Sequence, residues 1–511
     1  MNRNVKKITF TVAVTGGGFV LSYLITFFLT PFITESVGTD AYGFVSLAKN
    51  TAQYATYITA ALNTFASRFI SVEYHNKDYD KANTYFSSTY YGDLALGSMI
   101  LTAAMIMIMH IDKVFRVPAH LVHDVQLLFV FVFIKFWIQT ILSVNEAGVF
   151  TANALHISSV FHLFSYVVEG AVLIALFSLF SPSVYYVGIA LLAGDSFKSV
   201  ALVWIRKKYT PYLKADIKHF DFGAVKNLVG NGIWQSLISL GAFLNSGLDL
   251  IVCNRMLSAL AMGKLAIAEN IALIFKSLIT MVARPFHPYY LKDYADRDMD
   301  RLKRHMIFAM KFSSMFTNTC FAGMAALGLT FYRLWIPAQD IETIWKLTMI
   351  SSITAVSSGI ITPGLYGYTL TLKKKIPCAL TLMSGVLNVL SMYFLIKYTS
   401  LGVYAVVWTT AVLMSITNLI IHPFYIAKVL SFPRGIFYPV IVRCLIACAA
   451  VTAALYAASF IFRPQGWMSF AVSVIILGCL GFLVHLLFAL TPDEKKMALG
   501  YIGRKSGGKK A

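Results

Sequence analysis

Charged residues are scarce in this sequence. They make up 13% of the 511 residues, about half the share of a typical soluble domain. Hydrophobic residues make up 58%, and the mean hydropathy is +0.69. The composition therefore predicts a polytopic membrane protein.

Sequence motifs of enzymes and metal sites are missing as well. No Gly-rich phosphate loop, nucleophile elbow or cluster of metal ligands is visible. The cysteines form no C-x-x-C pair and are interpreted as packing residues of apolar segments. We therefore expect no enzyme, no metal and no cofactor. The six cysteines are Cys253, Cys320, Cys378, Cys444, Cys448 and Cys479.

The sequence does contain about fourteen long apolar runs. A helix of about 20 residues crosses the hydrocarbon core of a bilayer. The first run follows the basic segment "NRNVKK", but it is too long for a signal peptide and shows no cleavage site, so we expect a retained helix. The runs are 8–33, 42–70, 85–110, 120–144, 150–180, 183–205, 224–254, 262–287, 304–332, 342–370, 376–397, 401–427, 436–462 and 467–490.

The net charge of +20 follows the positive-inside rule rather than a nucleic-acid surface. An even number of spans places both termini on one side, and both termini are basic. Loops on that side carry about 28 Lys and Arg, whereas loops on the other side carry about seven. The distribution predicts cytoplasmic termini, a bilayer as partner and no nucleic acid.

Two segments of the chain resemble each other. Gly16–Asn50 and Gly230–Asn270 both open with G-x-G, and they end with "AYGFVSLAKN" at 41–50 and "AMGKLAIAEN" at 261–270. Six predicted helices separate the copies, so both have the same orientation, which predicts a parallel repeat. In that arrangement Lys49 and Glu269, at matching positions of the two copies, would face each other.

The repeat predicts an all-α fold with two parallel six-helix lobes around a central cleft and two further C-terminal helices. The expected domains are an N-lobe at 1–213, a C-lobe at 214–430, helices 13 and 14 at 431–490 and a basic cytoplasmic tail at 491–511.

The second predicted helix carries a polar stripe through the bilayer. Lys49 lies roughly 13 Å from the entry of the helix, where an ammonium group costs about 2.5–3.5 kcal/mol. Such a helix must turn its polar face to the bundle interior or to a water-filled cavity. The stripe consists of Ser46, Lys49, Gln53, Thr56, Ala60, Asn63 and Ser67.

Further predicted helices carry polar residues of the same kind. An excess of cations would favour an anionic cargo. The alternative is that each lysine pairs with a nearby acid: Lys135 with Glu146, Lys276 with Glu269, and Lys198 with Asp195. The predicted substrate-binding residues are Lys49, Gln53, Asn63, Lys135, Gln139, Asn231, Gln235, Lys276 and Lys311.

Four acids also fall inside the predicted helices. Acids at such depth carry coupling protons or sodium ions, or they serve as counter-ions to the lysines, and the sequence leaves both roles open. They are Asp93, Glu169, Asp249 and Glu269.

The stretch "FFLTPFITESVGTDAYGFVSLAKNTAQYATYITAALNTFASRFI", followed by "NKDYDKANTYFSS", supports a family resemblance. With its helix count and lysines, the chain resembles the multidrug/oligosaccharidyl-lipid/polysaccharide exporter superfamily, and within it the polysaccharide-biosynthesis flippases. The resemblance implies a V-shaped cleft that opens alternately to each side of a bacterial cytoplasmic membrane. It also implies a lipid-linked, polyprenyl-pyrophosphate oligosaccharide as cargo, with a polysaccharide polymerase or glycosyltransferases as functional partners.

Two other functions are weighed against this one. A cation-coupled multidrug exporter of the same superfamily would be expected to have an acidic, aromatic cavity, whereas the deep lysines favour an anion. A membrane-embedded polysaccharide polymerase or ligase would need a long catalytic loop outside the membrane, and no predicted outer loop exceeds roughly ten residues. Within the family that the chain resembles, the lack of an arginine in helix 1 departs from the pattern of the lipid II flippases, which implies a lipid-linked saccharide other than the peptidoglycan precursor as cargo.

Overall fold

A computed structural model describes residues 3–371, 373, 375–491 and 494, without the side chains at 3–13, 19 and 235. This part of the chain is 87% helical and contains no strand. The prediction of an all-α polytopic membrane protein is confirmed.

The described residues form two compact units. Unit 1 contains the residues up to Ala266 together with Thr381–Val386, and unit 2 contains Ile267–Leu380 and the residues from Leu387 onward. Helix α11 contributes residues to both units, as does α15.

Unit 1 is built from ten helices and the first turns of an eleventh. They are α1 (Arg3–Ser36), α2 (Thr39–His75), α3 (Tyr79–Met109), α4 (Ile111–Val114), α5 (Val122–Leu142), α6 (Glu146–Thr151), α7 (Leu155–Leu179), α8 (Tyr185–Tyr209), α9 (Phe222–Ser246), α10 (Asp249–Met256) and α11 (Ala259–Ala283).

Unit 2 continues with eight further helices. They are α12 (His287–Ala295), α13 (Met299–Trp335), α14 (Ile341–Leu370), α15 (Lys375–Tyr398), α16 (Val403–Ile416), α17 (His422–Val429), α18 (Tyr438–Ser459) and α19 (Trp467–Ala489). Short 3-10 turns precede α5, α6, α9 and α12, and the π-helical turn Thr417–Ile421 joins α16 to α17.

Eleven helical segments of the described chain are long and apolar enough to cross a membrane. A twelfth span is obtained when Ser236–Ser246 and Asp249–Met256, which meet at a bend of 41°, are counted as one. Helices α2 and α13 lie outside this set although each has 37 residues, because polar side chains interrupt their apolar faces. The predicted total of fourteen spans depends on these two helices and stays a prediction.

The connection between α8 and α9 is attached to the start of α3. The backbone N–H of Lys214 donates to Asn83 Oδ1 at 2.9 Å, and the backbone N–H of Asp221 donates to Ser88 Oγ at 2.9 Å. The Tyr79 and Tyr212 rings stack with centroids 4.6 Å apart. This connection is therefore fixed to the body of unit 1.

The same turn follows α2 in unit 1 and α12 in unit 2. Lys77 and Arg297 both adopt positive φ, at 63° and 57°. Asp78 Oδ1 accepts the backbone N–H of Lys81 at 3.0 Å, and Asp298 Oδ1 accepts that of Arg301 at 2.9 Å. Asp78 and Asp298 are 220 residues apart, as are Gly43 and Gly263 of the sequence repeat. The similarity of the two segments thus extends beyond Asn50 and Asn270.

The first turns of α2 and α11 cross at Gly43 and Gly263. A Cβ atom on Gly43 would lie 2.8 Å from Gly263 Cα, and one on Gly263 would overlap the carbonyl oxygen of Thr39. Two glycines at a crossing allow the helix backbones to touch, as small residues do between membrane helices. The shared A-x-G of the repeat therefore marks a backbone-to-backbone contact within unit 1.

Candidate functional site

The polar stripe of α2 lies on one uninterrupted helix. Lys49 and Asn63 are half-buried and Gln53 is exposed. The Lys49 ammonium interacts with the carboxylate of Glu169 on α7. Glu169 of α7 thus partly neutralises the charge of Lys49, which has no acidic residue near it on α2.

Lys135 on α5 forms a direct ion pair with Asp195 on α8. The distance from Lys135 Nζ to Asp195 Oδ2 is 2.7 Å, and the side chains remain 24% and 23% exposed. The suggested pairing of Lys135 with Glu146 is not the one observed, and Asp195 is engaged by Lys135 rather than by Lys198. Charged side chains that stay partly exposed in the interior of a membrane protein indicate a hydrated environment.

Four helices bring these charges together in unit 1. Lys135 is attracted by Glu169 and repelled by Lys49 and Lys198. The group therefore contains three ammonium groups and two carboxylates, and we name it the lysine cluster: Lys49, Lys135, Glu169, Asp195 and Lys198. Its excess of positive charge creates a potential that attracts anions.

Polar residues of α1 and α7 border the lysine cluster. The Tyr166 hydroxyl shares a hydrogen bond with Ser22, and it interacts electrostatically with Glu169. The His162 ring stacks on Tyr166 with centroids 5.1 Å apart. These residues were absent from the predicted site, and so were Asp195 and Lys198; their signal in the sequence is a polar or charged side chain within an apolar run.

Asn63 and Asp93 lie in a second polar group in unit 1. Asn63 Nδ2 donates to Asp93 Oδ1 at 2.8 Å, and Ser143 Oγ lies 3.4 Å from Asp93 Oδ2. Asp93 is fully buried. Gln139 on α5 is half-buried.

The predicted residues of α9 and α10 have different surroundings. Asn231 is exposed, and its Nδ2 donates to the Asn227 carbonyl at 2.7 Å. Gln235 lies on α9, and its side chain is outside the part of the chain that the structure describes. Asp249 is buried at the start of α10.

The remaining predicted residues belong to unit 2. Lys276 and Glu269 are half-buried on α11. Lys311 on α13 is only 4% exposed, and its Nζ lies 2.6 and 2.8 Å from the two carboxylate oxygens of Glu494. Burial would raise the pKa of Glu494, but hydrogen bonds from Lys311 and Thr491 hold this pKa below its usual value. Lys311 is therefore already paired with an acid beyond α19.

An apolar cavity of about 560 Å³ lies beside α2 in unit 1. Helices α2, α3 and α9 provide most of its wall, and Ile58 at its edge is 60% exposed. Its lining includes Tyr54, Ile58, Met107, Phe133, Leu237 and Phe243. Such a cavity fits a hydrocarbon chain rather than a polar group.

No group of three or more His, Cys, Asp or Glu side chains that could hold a metal ion occurs among the residues described. The lysine cluster instead combines three lysines with two acids. Chemically, this arrangement can hold an anion by point charges and can exchange it for water.

Comparison with known proteins links this geometry to a family. The family described as "Polysaccharide biosynthesis protein" matches residues 6–290. An uncharacterised membrane protein of Bacillus subtilis (strain 168), EpsK, is 28% identical over 502 residues, which cover 98% of this chain and 99% of EpsK.

Solved structures show the same fold. An inward-facing multidrug resistance MATE family transporter of the MOP superfamily has a TM-score of 0.64 at 16% identity, covering 80% of this chain and 94% of its own. The lipid II flippase MurJ in an inward closed conformation has a TM-score of 0.58 at 14% identity, covering 90% of this chain and 98% of its own. The family match confirms the resemblance to the polysaccharide-biosynthesis branch. The solved structures show that this chain has the fold of a MOP-superfamily transporter and of a lipid II flippase.

Proposed function

Because the chain belongs to the polysaccharide biosynthesis protein family, we propose that it is a flippase for an anionic lipid-linked oligosaccharide. It would act by alternating access in the bacterial cytoplasmic membrane, with lobes at 1–213 and 214–430. The observation that carries the proposal is the lysine cluster, in which half-buried ammonium groups outnumber carboxylates. A negatively charged headgroup would compensate the excess positive charge.

Pyrophosphate is the chemical group that suits these lysines best. Ammonium groups on flexible side chains act as mobile point charges and can follow a phosphate that changes position. We assign Lys49 and Lys135 as its main contacts, with Gln53, Asn63, Gln139, Asn231, Gln235 and Lys276 as polar contacts along its route. Lys311 would join them only after its ion pair with Glu494 opens.

The lipid tail of the cargo needs an apolar path. The cavity between α2, α3 and α9 lies on the same helix as Lys49 and is lined by aliphatic and aromatic side chains. We assign it to the polyprenyl chain near the headgroup. After release at the outer surface, the glycan would pass to a polysaccharide polymerase or to glycosyltransferases.

A multidrug exporter is the second candidate, and Glu169 and Asp195 in unit 1 favour it. Two carboxylates inside the bundle could attract an organic cation, and a MATE transporter shares the fold. The two candidates differ in the charge of the cargo. Removal of a lysine should weaken transport of an anion, whereas it should strengthen transport of a cation.

A complementation experiment tests the proposed function. Cells that lack the gene should accumulate a lipid-linked oligosaccharide on the cytoplasmic leaflet, and the wild-type gene should clear it. At matched membrane levels Lys49→Ala should lose most activity, Lys49→Arg should keep part of it, and Lys49→Glu should be worst because it repels the anion. Lys346→Ala is the control, since Lys346 belongs to unit 2, is 48% exposed and pairs with Glu342.

A double substitution separates cargo binding from simple ion pairing. If Lys49 only neutralises Glu169, then Lys49→Gln combined with Glu169→Gln should restore activity that Lys49→Gln loses. If Lys49 binds the cargo, the double variant should stay inactive while the protein still reaches the membrane. Full activity of Lys49→Ala would rule out Lys49 as a substrate contact.

A further inference from the structure

Asp93 on α3 is a fully buried carboxyl group inside a membrane-spanning helix. Its Oδ1 accepts a hydrogen bond from Asn63 Nδ2 at 2.8 Å, and its Oδ2 lies 3.4 Å from Ser143 Oγ. Both partners are neutral. In this respect Asp93 differs from Glu169 and Asp195, which interact with lysines.

No charged partner compensates Asp93 in the described structure. Its interactions are those with Asn63 and Ser143, and a carboxylate without a cation is strongly disfavoured in such surroundings. The charged or imidazole-bearing side chains on the elements packed against α3 are Asp40, Lys49, Arg68, Glu73 and His75 of α2, Asp112 and Lys113 of α4, His123, Asp124 and Lys135 of α5, Lys218 and His219 before α9, and Lys226 of α9.

The hydrogen bonds of Ser143 give Asp93 little compensation for its burial. The Ser143 hydroxyl has one proton and three acceptors within reach: the Thr140 carbonyl at 2.8 Å, Asn63 Oδ1 at 3.2 Å and Asp93 Oδ2 at 3.4 Å. The shortest of these is the bond to Thr140. With its proton there, Ser143 offers Asp93 Oδ2 at most a long and weak hydrogen bond, so the close donor to the buried carboxyl group is the neutral amide of Asn63.

Helix α2 links Asp93 to the lysine cluster. Asn63, which holds Asp93, and Lys49 are 14 residues apart on α2, which is close to four helical turns, or about 21 Å, along one face. A movement of this helix that displaces Lys49 therefore also displaces Asn63. Lys49 and Asn63 therefore move together, because both belong to the continuous helix α2.

We propose that Asp93 is a proton-carrying site of the transport cycle. It holds a proton while Asn63 lies against it. When α2 moves, water enters, the O–H bond of the carboxyl group breaks, the proton passes to water, and the electron pair remains on a hydrated carboxylate. The inference rests on the proposed function, because it assigns the proton to the cycle that moves the cargo.

Infrared spectroscopy of the full-length protein in lipid vesicles tests protonation without any cargo. At neutral pH the wild-type protein should show the C=O stretching band of a protonated carboxylic acid, and Asp93→Asn should lose it. Asp112→Asn, which changes an exposed aspartate of α4, should keep the band. An unchanged band in Asp93→Asn would overturn the inference.

A second variant protects the test against a folding defect. Asn63→Ala leaves the carboxyl group in place but removes its donor on α2. Its C=O band should remain and shift in frequency, because one hydrogen bond to the carbonyl oxygen is lost. A band at the wild-type frequency in Asn63→Ala would contradict the assignment even if Asp93→Asn cannot be purified.

Transport measurements then test coupling. In vesicles a pH gradient should accelerate movement of the lipid-linked oligosaccharide by the wild-type protein, about tenfold or more. Asp93→Asn should lose this acceleration and keep exchange in the absence of a gradient, and wild-type acceleration by Asp93→Asn would refute the coupling role. If the wild-type protein moves no such lipid while the infrared result holds, the proposed function fails and the protonation of Asp93 stands.

Discussion

At the scale of residues, charge pairing determines what each lysine inside the bilayer can do. Lys135 forms an ion pair with Asp195 at 2.7 Å, and Lys311 is held by both carboxylate oxygens of Glu494. Lys49 interacts with Glu169 and shares that acid with Lys135. The lysine cluster is therefore short of one negative charge, which an incoming anion can supply.

The ion pair of Lys135 and Asp195 should behave as a coupled unit. Asp195→Asn or Lys135→Gln alone should lower stability by less than the roughly 3–5 kcal/mol typical of a fully buried pair, because both groups retain some exposure. The double variant should recover part of the loss. Thermal unfolding in detergent across this double-mutant cycle measures the coupling; strictly additive losses would show that the two groups do not stabilise each other.

The sequence placed the lysines inside long apolar runs but did not predict all their partners. Periodicity placed Lys49 on a polar stripe of one helix, and the structure shows that helix without a break. The acids suggested for Lys135 and Lys198 were close in sequence, whereas Lys135 pairs across 60 positions with Asp195 and Lys311 across 183 with Glu494. Contacts between helices depend on packing, which no local pattern determines.

At the scale of elements, the two repeats are joined by a close crossing. Helices α2 and α11 touch at Gly43 and Gly263, where a Cβ atom on Gly263 would overlap the Thr39 carbonyl. The sequence predicted that these glycines match, and the repeated turns at Lys77 and Arg297 extend the match. It could not predict that the matching glycines touch, because that depends on how the helices cross.

Substitution of Gly263 should disrupt this crossing. Gly263→Ala should destabilise the protein by about 1–3 kcal/mol, as overpacking does where no space is available. Gly323→Ala on α13 is the matched control, because a Cβ atom there meets nothing within 4 Å. Thermal unfolding measures both variants, and equal stability of the two would contradict the close contact.

At the scale of the whole molecule, the distribution of basic residues predicts the orientation in the membrane. The connection from α8 to α9 contacts Asn83 at the start of α3, so Lys214 and Lys77 must lie on the same side. From the positive-inside rule we expect that side, and both termini, to be cytoplasmic. Among the described residues, eleven or twelve helical segments are long and apolar enough to span the membrane, and this number does not determine the orientation.

Labelling of introduced cysteines should determine the orientation. An impermeant thiol reagent applied to intact cells should not label Lys214→Cys or Lys77→Cys, whereas it should label Lys113→Cys on the other side of unit 1. Permeabilised cells should show labelling at all three positions. Ready labelling of Lys214→Cys from outside would show that the orientation is opposite to the predicted one. The argument for cytoplasmic termini would then fail.

Lipid-linked oligosaccharide transport by purified protein tests the central claim most directly. Vesicles containing the wild-type protein should move a fluorescent polyprenyl-pyrophosphate oligosaccharide between leaflets, while Lys49→Gln should be reduced at least tenfold and Lys346→Ala should match wild type. The uncharged polyprenol analogue should not be moved. Equal movement of the charged and uncharged lipids, or full activity of Lys49→Gln, would contradict a flippase that recognises its cargo by charge.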